Sequence, residues 1–276
     1  MRELRNRVAV VTGGGSGIGR GMALSFAGEG MNVVIADIEQ DAAERVAAEV
    51  RGIGVKAIAV RTDVADPSAL EALAERSFEA FGAVHLLCNN AGVFIGGKLS
   101  ETAAEEWAWL LAVNLLGVVS GVQAFLPRLR AQGGESHIVN TGSISGLYPT
   151  PFQGAYSASK YAVVGYSERL RVELEDENIG VSVLCPSGVR TRITESRRNR
   201  HEQFGGPVVS PAPPRAQATR SDVLDPLEVG RIVVRGIKEN RLYIHTHLSF
   251  KPRYEERFAH ILADFAPLEG NTGQST

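Results

Sequence analysis

Tyr156 and Lys160 stand four residues apart in "AYSASKYAVVGYSERL" (155–170), a stretch with the apolar spacing of a buried helix. Residues four apart share one helix face, so the phenol and the ammonium point the same way. The other two tyrosines of the stretch lack such a partner. Tyr161 is followed four residues later by Gly165 and Tyr166 by Leu170, which reads as core or interface packing. A tyrosine beside a lysine can exchange a proton with a substrate oxygen. The alternative is an ordinary tyrosine and a lysine whose stem lies along an apolar surface. Free tyrosine titrates near 10, so poising it near neutrality takes about three units, or about 4 kcal/mol. A nearby ammonium in a low-dielectric site has an effect of that order.

A second stretch, "VVTGGGSGIGRG" (10–21), carries glycines of another kind. It follows an apolar run and precedes a helical pattern. Backbone N–H groups in such a loop can approach a pyrophosphate at a helix N-terminus. The spacing is not that of a P-loop, because Arg20 and Gly21 stand where Lys and Ser/Thr are required. Nor is it GxGxxG. It fits TGxxxGxG, through Thr12, Gly13, Gly17 and Gly19, with Ser16 and Ile18 between. Asp37 ends the next apolar run, where a carboxylate can accept from both adenosine ribose hydroxyls and would repel a 2′-phosphate. Ser16 and Ile38, where a base could meet that phosphate, are uncharged, so NAD is favoured over NADP. Arg20 is one turn into the helix and faces either solvent or the pyrophosphate. Asp37 could equally cap a helix. Asp63, in "RTDV", could accept from an adenine amino group with Val64 on the ring, or could be a turn residue before Pro67.

These residues need elements to hold them. Short β-branched runs at 7–12, 32–37, 55–63, 84–90, 136–143, 180–186 and 242–246 alternate with helical patterns at 17–29, 39–51, 67–81, 101–131, 154–178 and 226–239. Near-continuous apolar strands between helices predict a parallel sheet covered on both faces. With right-handed crossovers this is an α/β, Rossmann-type doubly wound three-layer sandwich with a mostly parallel seven-stranded sheet. We expect one domain over 1–276, with a lid insertion at about 190–225 and a C-terminal extension at about 247–276. The lid carries the Pro- and Gly-rich 205–226 segment.

The chain has 276 residues, 29 Lys plus Arg and 31 Asp plus Glu, for a formal net charge of -2. That balance indicates no bulk attraction to nucleic acid or anionic membrane. Cys88 and Cys185 are far apart, have no metal-type spacing and each end an apolar run, so buried reduced thiols are expected. No stretch approaches about 18 uninterrupted apolar residues. The start of the chain carries no signal-like run. The expectation is a cytoplasmic protein with no membrane and no nucleic-acid partner.

Taken in order, these motifs resemble the classical short-chain dehydrogenase/reductase family. The matching residues are "TGGGSGIG" (12–19), "DV" (63–64), "NNAG" (89–92), Asn114 in "VNLLGV", Ser143 in "NTGSIS", Tyr156 and Lys160 in "YSASK", and "PSGVRT" (186–191). The resemblance implies a secondary alcohol/ketone oxidoreductase. Tyr156 would be its acid/base, Lys160 would hold the nicotinamide ribose and lower the tyrosine's pKa, and Ser143 would orient the substrate oxygen. Asn114 would hold a water in a proton relay. Asn90, Ala91 and Gly92 would line the cofactor, and Pro186, Val189 and Thr191 would adjoin the nicotinamide carboxamide. Ser187 departs from the family's usual Pro-Gly. Hydride transfer at a carbon bearing oxygen needs matched proton transfer at that oxygen, which gives the Tyr–Lys pair its use.

The substrate pocket is expected from 144–154, 93–99 and 192–220, with Leu147, Tyr148, Phe152 and Phe94 making it apolar. That suggests a bulky hydrophobic or aromatic alcohol. The tail resembles members acting on benzylic or aryl-ether alcohols. An NADPH-dependent carbonyl or 3-oxoacyl-thioester reductase is the alternative, and a cofactor-sensing scaffold without turnover a third. His245 and His247 would share a face of the last strand, but with no third ligand nearby no metal is expected. His85 and His137 read as structural. The basic run 190–202 is read as a solvated helix face, or else as a site for an acidic substrate. The family commonly forms homotetramers or dimers, through the helices predicted at 101–131 and 154–178.

Overall fold

The computed structural model describes residues 1–208 and 222–266. Seven strands form one sheet: β1 (Val8–Thr12), β2 (Asn32–Asp37), β3 (Ala57–Arg61), β4 (Leu86–Asn89), β5 (Ser136–Thr141), β6 (Ile179–Cys185) and β7 (Tyr243–His245). Their order is β3-β2-β1-β4-β5-β6-β7, and every neighbouring pair is parallel, so no antiparallel edge qualifies the sheet. β2 matches its predicted run, β6 is shifted by one residue at equal length, and the other five strands are one to four residues shorter than the apolar runs that predicted them.

Side chains alternate across the pleat. Val8 and Val10 enter one buried layer, Ala9 and Val11 the other. The second layer packs under α1 (Gly17–Gly28), α2 (Gln40–Gly52) and α7 (Pro226–Lys238). The first packs under α3 (Pro67–Phe81), α4 (Ala104–Leu111), α5 (Gly117–Gln132) and α6 (Gly154–Glu173). Residues covering both faces explain why β1 is apolar at almost every position. Winding reverses between β1 and β4, which opens a crevice above the strands' carboxyl ends.

Helix ends follow local chemistry. Asp66 accepts from Ser68 N at 2.9 Å before Pro67, and Asp225 from Leu227 N at 2.9 Å before Pro226. Asp66, not Asp63, is therefore the cap beside Pro67. The predicted helix 101–131 is one continuous run interrupted by a π-turn, Ala112–Leu116. Its buried stripe explains the turn. Leu110, Asn114, Val118, Val122, Phe125 and Leu129 step by four three times in succession, wider than the α-helical 3.6. A π-turn absorbs the extra residue. By length and composition this run could cross a membrane, but Trp109, Leu110, Phe125 and Leu129 bury it in the fold.

Cys88 and Cys185 are free and buried. Burial raises both thiols, Cys185 to about 12. His137 is buried against Ser182 Oγ at 2.8 Å, and desolvation lowers it to about 3. His85 Nδ1 accepts from Val8 N at 3.2 Å. β7 ends at His245, so the two later histidines do not share a strand face. His245 stacks on Tyr243, while His247 Nε2 meets Asp222 O at 3.0 Å. Among the described residues no three His, Cys, Asp or Glu gather as metal ligands. A last helix, α8 (Lys251–Ala263), has no buried residue. Arg253 lies 5.6 Å from the Tyr148 ring and Arg257 5.3 Å from Tyr161, while Tyr166 packs on the core.

Candidate functional site

The crevice is a cleft with a cavity volume of about 190 Å³. One end is built on the glycine loop. Gly13 has φ +63°, and a β-carbon there would lie 2.8 Å from Ala91 Cα. Gly19 sits beneath it, where a β-carbon would meet Gly13 O at 2.1 Å. Backbone can approach backbone only without side chains here. Thr12 Oγ1 accepts from Asn90 N at 2.9 Å and Ala91 N at 3.1 Å, and Asn90 Nδ2 donates to Thr12 O at 3.0 Å. The β4 loop thus braces the glycine loop. Gly13, Ser16, Gly17 and Ile18 line the cleft on one side, Asn90, Ala91 and Gly92 on the other. Gly17 lies against Thr191, which lines the cleft with Pro186, while Val189 is buried below. Ser187 is not at positive φ, so its position does not require glycine, and its N–H donates to Thr246 Oγ1 at 3.4 Å.

Asp37 Oδ2 accepts from Gly15 N at 2.9 Å and Oδ1 from Glu39 N at 3.0 Å. Each oxygen keeps a lone pair for another donor. Burial raises its pKa, and those two N–H bonds oppose the shift. It does not cap α2, whose N-cap is Glu39. Asp37, Ile38, Asp63 and Val64 line the cleft together. Asp63 Oδ1 accepts from Ala65 N at 3.0 Å, and its Oδ2 lies 3.3 Å from His201 Nε2. Arg20 turns away to Glu49.

At the other end, β5 stops at Thr141, and Ser143 caps the short turn that follows, its Oγ accepting from Ser145 N at 3.1 Å. α6 presents Tyr156 and Lys160 to the cleft. Lys160 Nζ donates to Thr141 O at 2.7 Å and lies 5.8 Å from the Tyr156 ring centroid. Burial lowers Lys160 to about 8. Burial pushes Tyr156 up to about 12, against a hydrogen bond with Ser143. The protein alone therefore holds the phenol protonated, opposite to the downward shift expected from Lys160. Phe94 packs edge-on against Tyr156, ring centroids 5.0 Å apart.

Asn114 lies behind Lys160 and Gly92. Its Oδ1 accepts from Val93 N at 2.8 Å, and its Nδ2 donates to Val93 O at 3.0 Å and Ser159 Oγ at 3.1 Å. Both amide hydrogens are spent, which leaves the side chain one lone pair for a water. It works first as a tie between the β4 loop and α6.

The predicted pocket walls need correction. Leu147, Tyr148, Phe152 and Phe94 do not line the cleft; Phe152 is 72% exposed, at φ +57°. Of the expected segments, 93–99 contributes Val93 and 192–220 contributes Ile193 and Phe204, while 144–154 contributes none; Trp109 and Val113 join them on the apolar side of the lining. Residues 209–221 of the expected lid, and 267–276 of the expected extension, lie outside the described residues. The basic run is neither a helix face in solvent nor free for a substrate. Arg197 pairs with Glu106 at 2.5 Å, Arg198 with Glu39 at 2.9 Å and Arg200 with Glu106 at 3.7 Å. With Ser196 Oγ accepting from Phe94 N at 3.0 Å, residues 193–204 strap the cleft. Glu39, Arg198 and His201 were missed by sequence reasoning. The signal was present in the basic run itself, which had to find carboxylates somewhere.

A profile described as short chain dehydrogenase matches residues 7–202. The chain is 33% identical over 275 residues to the C alpha-dehydrogenase of Sphingobium sp. (strain NBRC 103272 / SYK-6), covering 98% of this chain and 90% of that protein. It is 30% identical over 277 residues to the CLA biosynthesis dehydrogenase/reductase of Lactiplantibacillus plantarum, covering 97% of each. A short chain dehydrogenase/reductase from Burkholderia phymatum, solved in complex with NAD, superposes with a TM-score of 0.88 at 40% identity, over 96% of this chain and 97% of that one.

Proposed function

We propose that this chain, which belongs to the short chain dehydrogenase family, interconverts a bulky hydrophobic or aromatic secondary alcohol and its ketone with NAD, Tyr156 being the acid/base. The observation that carries this reading is the meeting of Ser143, Tyr156 and Lys160 at one end of a cleft whose other end is a glycine cradle. When bound, nicotinamide supplies the hydride acceptor or donor and, oxidised, a positive ring charge.

The chain's own residues do the rest. The glycine loop offers N–H groups to a pyrophosphate. Asp37 keeps a lone pair on each oxygen for the ribose hydroxyls, and Asp63 and Val64 receive the adenine. Lys160 spends one N–H on Thr141 O and has two for the second ribose. Titrating near 8, it carries charge at neutral pH and favours ionised Tyr156. Ser143 holds the substrate oxygen while Tyr156 moves its proton. Asn114 fixes the β4 loop against α6, and Val189 and Thr191 face the carboxamide. Phe94, packed edge-on against the Tyr156 ring, puts an apolar side chain at the reacting end, which favours a bulky apolar substrate.

Exposed Leu116, Val172 and Leu262 on the helical faces support a homo-oligomer, and two buried free thiols support a reducing, cytoplasmic setting. A screen of aryl and aliphatic secondary alcohols with NAD and NADP, in both directions and read by absorbance of the reduced cofactor, tests the whole reading. Turnover of aryl alcohols with NAD is the expected result. Turnover confined to small hydroxy acids, or to NADPH and ketones, would sink it.

A further inference from the structure

The charged end of the cleft contains a pair that joins two distant parts of the chain. Glu39 sits two residues after Asp37, between β2 and α2. Arg198 comes from the strap, 159 residues further on. The guanidinium donates Nε to Glu39 Oε1 at 3.0 Å and Nη2 to Oε2 at 2.9 Å, a bidentate fork. Its Nη1 donates to Glu195 O at 3.1 Å. Every nitrogen of the guanidinium is thus engaged by protein. Both side chains line the cleft beside Asp37 and Ile38, and they are only partly exposed, 24% for Arg198 and 32% for Glu39.

We propose that Glu39 and Arg198 are a second determinant of cofactor choice: Glu39 occupies the arginine that would otherwise receive a ribose 2′-phosphate. The inference rests on the reading that this cleft takes a nicotinamide dinucleotide. An arginine near the ribose is the usual means of accommodating a 2′-phosphate, because its planar fork matches phosphate as well as carboxylate. Here the fork is spent. A 2′-phosphate could win it only by displacing Glu39, leaving that carboxylate without its bidentate partner, with Asn199 as its remaining hydrogen-bond donor, between Asp37 and the incoming dianion. The other cationic groups of the lining offer no substitute among the described residues. Arg192 pairs with Glu195 at 2.9 Å, His201 faces Asp63, and Lys160 is at the far end on Thr141 O. Asp37 repels the phosphate, and the Glu39–Arg198 pair withholds its partner.

The test is equilibrium binding without substrate: NADH and NADPH titrated by nicotinamide fluorescence into the full-length parent, E39Q, E39A, R198M and E39Q/R198M, each checked for its fold by circular dichroism. E39Q and E39A should tighten NADPH about tenfold, the scale of one charge-assisted hydrogen bond, and move NADH less. Adding R198M should erase that gain. The pair is not a determinant if both Glu39 variants leave the NADPH-to-NADH ratio within about twofold of the parent's, the size of a weak surface pair, or if the gain survives without Arg198. A parent that prefers NADPH overturns it too. A parent that binds neither dinucleotide removes the proposed function itself, whereas NADH binding with an unmoved ratio removes only this pair.

Discussion

The two ends of the cleft solve opposite electrostatic problems. At the Tyr156 end, one ammonium is buried among neutral partners: a carbonyl, a phenol, an amide. Burial there raises Tyr156 and lowers Lys160, so each group is pushed toward its neutral form. At the Asp37 end, three carboxylates and two basic side chains share a partly wet rim: Glu39 and Asp63 meet Arg198 and His201 of the strap, and Asp37 accepts from backbone N–H groups. The dry end is poised to respond strongly to one added charge. The wet end has its Arg198 fork already paired and its Asp37 held by backbone N–H groups, which suits selection more than chemistry.

The sharpest way to break this contrast is Tyr156→Phe. It removes one oxygen at the dry end and should cut alcohol oxidation about a thousandfold, while NADH titration still shows binding. Turnover at the parental rate would move the proton transfer elsewhere. A smaller effect is expected from Asp37→Ala at the wet end: NADH affinity should fall roughly 10- to 100-fold, the range for a hydrogen bond to a charged group, and NADPH affinity much less. Equal losses for both cofactors would mean that Asp37 serves only to pin Gly15 and Glu39.

The mildest effect concerns stability. Lys160 titrates near 8 in the folded chain against 10.5 for a free lysine. Between those values the unfolded chain holds more protons, so this group makes the fold more stable as pH rises from 8 to 10.5. Tyr156 works the other way: its folded pKa is raised from 10 to about 12, and the stability it lends is lost as pH climbs through that interval. Urea melts of the parent and K160M at about pH 7, below the lysine window, and at about pH 8.5 and 10, inside it, should show the parent gaining on the variant as pH rises. A constant difference would mean that the ammonium is not held against desolvation.

How much of this was legible depended on whether a signal was local. The sheet could be read because its strands are apolar on both faces, and Tyr156 with Lys160 because helix geometry makes a four-residue gap a contact. Asp37 stands at the end of β2 and lines the cleft as read, but its N–H partners were not foreseen, since the loop's path decides them. The cleft lining was read in part: 93–99 and 192–220 contribute to it, and 144–154 does not. Loop aromatics such as Tyr148 and Phe152 carry no periodicity that says which way they face, whereas Trp109 and Val113 lay unremarked on a helix. The Arg198–Glu39 pair spans 159 residues, and only the folded chain brings it together.

The π-turn at Ala112–Leu116 also constrains how the chain can change its length. It holds one residue more than an α-helix would place there, and each α-helical residue turns about 100°. Deleting a residue within it would leave α4 and α5 as one regular helix, but with one half rotated off its buried face. Either Trp109 and Leu110 or Phe125 and Leu129 would turn toward solvent. This single supernumerary residue is part of the frame, and Asn114 sits in the turn that contains it.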